Sequence, residues 1–192
     1  MYLQDDKRWE TTKLGTSQDT IGQSGCLLTC FTMIAENCGH PEIPPTLNRK
    51  FIDRGLYLNQ CLLGAGTIST LYPDIVYGGD FAFNNDQVKE WLTNYNIIFK
   101  LDYDSNPNDG FQTHFVLLDR VDTEIYLHDP IWGDCKLTDH YALSAILRVY
   151  LYKRIQPPTP APITPPAATE PPLTKESLAD AFLALAKKYN SK

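Results

Sequence analysis

From Cys26 to Asn37 the chain reads CLLTCFTMIAEN, apolar at almost every position, and Cys38-Gly39 follows. A segment this uniformly apolar predicts a helix buried in the core and closed by glycine. Pro45 to Arg54 predicts a second helix, ended by Gly55, and Asn85 to Tyr95 a third, capped by Asn84 or Asn85. Strand patterning dominates later, at Ile97 to Leu101, His114 to Arg120, Glu124 to His128 and Ile146 to Tyr152. Helices first and a meander of strands afterwards predict an α+β domain over residues 1–155. Tyr57 to Asp80 is read as loop, where specificity would reside.

The pattern changes after Ile155. Residues 156–172 read QPPTPAPITPPAATEPP, in which proline removes donors and fixes φ while nothing apolar is left to pack, so an extended linker is expected. At about 3.1 Å per residue it would reach roughly 50 Å. Residues 173–192 predict an amphipathic helix. Thr174 is its N-cap, Glu176 and Asp180 lie early and Lys187 and Lys188 late, and Leu178, Phe182, Leu185 and Tyr189 form one apolar stripe. A lone helix of this length is marginal in water and should dock onto something.

Composition narrows the class of protein. With 43% hydrophobic residues in 192 there is material for one core, and most of the 14 prolines fall in the linker. A net charge of -6 opposes attraction to nucleic acid, whose binding needs a dense basic surface. No apolar run approaches the length of a membrane span. The first thirty residues lack a basic n-region and an apolar h-region, so no secretory signal is expected, and the site of action stays unassigned. Five irregularly spaced cysteines (26, 30, 38, 61 and 135) argue against a disulfide framework.

Candidate chemistry begins at Gly22-Gln23-Ser24-Gly25-Cys26, which sets a cysteine where a turn enters a helix. Orphan amides and the helix dipole at such a position favour thiolate over thiol. The alternative is a small buried apolar residue, the role expected of Cys30 one turn on. Downstream, two strand-like runs flank Val121-Asp122-Thr123-Glu124, read as a hairpin with a two-residue loop. If Val121 pairs with Glu124, Asp129 faces Val116 and His114 lies two residues further on the same side. Diagonal neighbours of this kind are about 7 to 8 Å apart at the backbone, so imidazole and carboxylate can meet. Such a pair fixes the imidazole tautomer and leaves its other nitrogen to take a proton from a thiol. Singly, a histidine at a strand start and an Asp-Pro turn are common structural features.

LQDDKRW…KLG, TIGQSGCLLTCFTMIA, PPTLNRKF…RGLY and THFVLLDRVDTEIYLHDPIWGD together resemble the bacteriocin-leader-peptidase-like branch of the papain superfamily, cysteine peptidase family C thirty-nine, whose stand-alone relatives occur in bacterial and phage proteins. The resemblance covers most of residues 2–150 and implies a papain-like fold with Cys26 as nucleophile, His114 as base and Asp129 as the group that orients it. It also implies an upstream glutamine that helps hold the oxyanion, which falls on Gln4, with Gln23 as the rival. Trp132, just after Asp129, is expected to line the cleft, and Gln23 and Trp132 are the candidate substrate-binding residues.

Other signals lead elsewhere. The oxygen-rich run from Asp102 has Pro107 and Thr113 where a calcium-binding EF-hand needs glycine and glutamate. The cysteines with His40, His128 and His140 show no zinc-ligand spacing, so neither metal nor other cofactor is expected. Two classes of function follow. One is a hydrolase of amide bonds in a peptide or in the peptide part of peptidoglycan, with acyl transfer as a variant. The other is a virion or assembly protein that keeps the fold and attaches to a protein partner through its C-terminal helix.

Overall fold

A computed structural model describes residues 1–103 and 112–154. The linker and C-terminal helix read from the sequence, and most of the oxygen-rich run, lie outside the described residues. The described part is mixed α and β. Its helices are α1 (Ile21–Ser24), α2 (Cys26–Asn37), α3 (Pro44–Asp53), α4 (Thr67–Leu71), α5 (Asn85–Trp91) and α6 (Leu137–His140). The strands β1 (Ile75–Phe81), β2 (Tyr95–Asp102), β3 (Thr113–Val121), β4 (Ile125–Asp129), β5 (Gly133–Lys136) and β6 (Ile146–Arg154) form one antiparallel sheet in the order β1-β6-β2-β3-β4-β5. Strands β2 to β5 form a meander, of which β2, β3 and β4 were expected and β5 was not, while β6, the last of the expected strands, inserts between β2 and β1.

Each sheet face has its own core. On one face Ile98, Leu117 and Tyr152 pack against α2, α3 and α4 through Phe31, Phe51 and Ile68. On the other, Phe99, Val116, Leu127 and Leu151 meet Val88 of α5 and Leu137 of α6. Helix α2 is buried from Leu27 to Ala35, as its apolar sequence demands. Its two threonines remain tolerable there because Thr29 and Thr32 donate back to the carbonyls of Gly25 and Leu28, each at 2.9 Å. Phe31 stands edge-to-face on both Phe51 and Tyr152, with centroids 6.2 and 5.7 Å apart.

Several boundaries differ from the sequence reading. Helix α3 starts at Pro44 and stops at Asp53. Helix α5 ends at Trp91, because Tyr95 already pairs with Lys153 in the sheet, and its cap is Asn84, whose side chain accepts from the amides of Asp86 and Gln87. The stretch Tyr57 to Asp80 is not one loop; it contains α4 and most of β1. The hairpin loop after β3 has three residues, since Val121 pairs with Ile125. A bulge between Leu118 and Arg120 then absorbs one residue and returns the register, so that Leu118 faces Leu127. Continued outward, that register sets Asp129 beside Val116, where the two-residue loop would have put it.

Candidate functional site

Helix α2 begins at Cys26, and its N-cap Gly25 has no side chain to bond the first amides. Glycine is required there by space. A Cβ on Gly25 would lie 2.4 Å from the Ile21 carbonyl oxygen, whereas Gly22 lets residue 10 approach so closely that a Cβ would fall 2.9 Å from the Glu10 oxygen. The turn thus delivers Cys26 to the floor of a cleft of about 640 Å³, lined among others by Gln4, Cys26, Leu63, Lys100, Tyr103 and His114.

His114, 3% exposed, lies at the start of β3, and fully buried Asp129 at the end of β4. The imidazole Nε2 donates to Asp129 Oδ1 at 3.0 Å, which leaves Nδ1 for a second partner. Burial pulls the imidazole pKa down. Hydrogen bonds with Asp129 and Cys26, and the charges of both, outweigh burial and push it up to about 9. Burial alone would raise the Asp129 carboxyl. The hydrogen bond and charge of His114, the Ile131 amide and the Tyr141 hydroxyl together hold it below its ordinary value. Cysteine, histidine and aspartate therefore stand in one chain of contacts.

Gln4 is buried at the edge of the same cleft. Its amide donates to the Pro130 carbonyl at 2.8 Å, and its side-chain Nε2 to the Gly22 carbonyl at 2.9 Å. One Nε2 proton is thereby used and one is left. The irregular N-terminal segment that carries it is pinned by Trp9, whose indole donates to the Leu3 carbonyl at 2.8 Å. Asn48 of α3 adds two bonds to it, accepting from the Gly15 amide and donating to the Lys13 carbonyl. Gln23 also lines the cleft, but its Oε1 accepts from the Thr20 amide at 3.0 Å, closing the capping box of α1.

Trp132 departs from expectation. Ile131, not Trp132, lines the cleft, and the indole stands half exposed, stacked on His140 with centroids 4.5 Å apart. Its amide still serves the site, donating to Asp129 Oδ1 at 3.3 Å. Two tyrosines were missed from sequence. Tyr103 meets the His114 ring edge-on at 5.6 Å, and Tyr141, just past α6, donates its hydroxyl to Asp129 Oδ2 at 2.8 Å. No local pattern links residues 103 or 141 to the histidine; the sheet order brings them together.

The remaining thiols differ in environment. Burial drives the Cys30 thiol well up, and it points at the Phe115 carbonyl, 3.4 Å away. Burial likewise raises Cys135, to about 11. Among the described residues no three His, Cys, Asp or Glu side chains gather as a metal site, and no helix is long and apolar enough to cross a membrane. No protein-family model and no curated protein matches the sequence.

Proposed function

We propose that this chain is a papain-like cysteine hydrolase that cleaves amide bonds in a peptide or in the peptide part of peptidoglycan. The observation that carries the reading is His114, which lines an open cleft with Cys26, is in contact with it, and is bonded through Nε2 to buried Asp129 behind it. A buried His-Asp pair alone is a common structural device. A thiol at a helix start against the remaining imidazole nitrogen is the nucleophile, base and orienter set of covalent catalysis.

The steps follow from these positions. His114 Nδ1 already holds the Cys26 proton in a thiolate-imidazolium pair, and the sulfur attacks the substrate carbonyl carbon. The carbonyl oxygen becomes an oxyanion, held by the Cys26 amide and the second Nε2 proton of Gln4. The imidazolium returns its proton to the departing amine, the C–N bond breaks, and a thioester remains. Water, deprotonated by His114, then attacks the thioester carbonyl and releases acid and thiol. Asp129 keeps the imidazole in one tautomer and stabilises its cation. Gln23, engaged as a helix cap, is the weaker oxyanion candidate. The resemblance to peptidase family C thirty-nine supports the same assignment, as does the helix-then-antiparallel-sheet order, which accommodates a papain-like fold.

The test is turnover of peptide and peptidoglycan-fragment libraries by the full chain, compared with Cys26→Ala, His114→Ala and the double variant. Each single change should abolish release of new amino groups, and the double should cost little more, since members of one catalytic unit are not additive. Wild-type turnover by Cys26→Ala would overturn the proposal.

A further inference from the structure

The Asp129 carboxylate is served unequally. Oδ1 accepts three bonds, from His114 Nε2 at 3.0 Å, the Ile131 amide at 2.7 Å and the Trp132 amide at 3.3 Å. Oδ2 accepts from Tyr141 at 2.8 Å, and no other donor to it occurs among the described residues. In a fully buried carboxylate an oxygen without a donor is costly, and the group escapes by rotating or by taking a proton. Either escape would spoil the bond to His114. The amides of Ile131 and Trp132 move with the turn that carries Asp129. Tyr141 is independent of that turn, anchored by its own amide on the Leu137 carbonyl at 2.8 Å and by its ring in the core behind β4.

We infer that Tyr141 is a positioning residue for the reaction: its hydroxyl locks the rotation of the Asp129 carboxylate so that Oδ1 faces the His114 imidazole. This rests on reading Cys26, His114 and Asp129 as one catalytic unit. Tyr141 and Tyr103 lie 6.1 and 5.6 Å from the imidazole and 6.3 Å from each other, so the two rings pack side by side against it. Among the described residues, the titratable groups facing this assembly are Cys26 and Cys30 from α2, Asp129 from β4, Cys135 from β5, Tyr103 after β2 and His140 at the end of α6.

Tyr141→Phe tests the inference, because it removes one oxygen and leaves the ring in place. Cys26 alkylation by iodoacetamide is followed by peptide mapping, and the His114 ring by nitrogen-15 NMR across pH, so no substrate is needed. Loss of one bond to a charged group should slow Cys26 alkylation at neutral pH about tenfold and shift the His114 titration, with Cys30 and Cys135 labelling unchanged. Combined with Asp129→Asn, the phenylalanine change should add nothing further, since both act through one contact. A purely structural tyrosine would instead expose all three thiols alike and give additive losses.

A second readout uses the wild-type protein and guards against a variant that folds poorly: the Tyr141 ring-carbon resonance should move as His114 titrates. Wild-type alkylation in Tyr141→Phe with an unchanged imidazole titration, or a Tyr141 resonance blind to His114, overturns the inference while leaving the triad intact. Cys26 labelling in the wild-type protein no faster than at Cys61 would count against the triad itself.

Discussion

Replacing Asp129 by asparagine keeps the side chain's shape and one acceptor oxygen but removes the charge that His114 meets 3.0 Å away. The imidazole is pushed from 6.5 up to about 9 by Asp129 and Cys26 against the pull of burial. At 1.36 kcal/mol per unit, that rise corresponds to about 3 kcal/mol of folded-state stabilisation, which Asp129 shares with Cys26. The folded value lies above the unfolded one. The contribution is therefore complete below about pH 6.5 and lost as pH rises through about 9. Urea denaturation of wild type and Asp129→Asn should accordingly show a stability gap near pH 6 that narrows toward pH 10, by at most about 3 kcal/mol. Nitrogen-15 NMR should find the His114 titration displaced to lower pH in the variant. An unchanged gap across this range, or an imidazole that still titrates near 9, would refute the pair as the source.

Three further outcomes are expected. Gly25→Ala forces a Cβ to within 2.4 Å of the Ile21 oxygen and should lower stability by about 1–3 kcal/mol or more, read as a fall in Tm. Phe31→Ala, which opens a cavity between Phe51 and Tyr152, should cost about 3–5 kcal/mol in chemical denaturation without moving the His114 titration. Gln4→Ala should reduce kcat about 10²-fold or more on any amide substrate found, with KM little changed, as loss of an oxyanion donor does.

Helix α2 was legible because its apolar run is almost uninterrupted, which buries nine consecutive residues from Leu27 to Ala35. The geometry of His114 and Asp129 was legible for a less direct reason. The loop is one residue longer than read, and a bulge between Leu118 and Arg120 removes the difference, so face and partner came out alike. Strand β1 was hidden because Gly78-Gly79 breaks its alternation: Gly78 is the extra residue of a bulge against β6, and Gly79 beside it sits at φ 110°. Strand β5 and helix α6 are four residues each, too short for either period to register. Trp132 was misplaced because proximity to Asp129 in sequence does not fix which way a turn aims its side chain. Tyr141 lies 12 residues from Asp129 in another element, and only the fold of β5 and α6 carries it back.

The central claim is that Cys26 and His114 act as one unit, and thiol reactivity measures it without knowledge of the substrate. Limited iodoacetamide labelling of the full chain at mildly acidic pH, mapped by mass spectrometry, should modify Cys26 ahead of Cys30, Cys38, Cys61 and Cys135. In His114→Ala that preference should vanish while the other four thiols label as before. Preferential modification of Cys61 or Cys135, or undiminished Cys26 labelling in His114→Ala, would contradict the account.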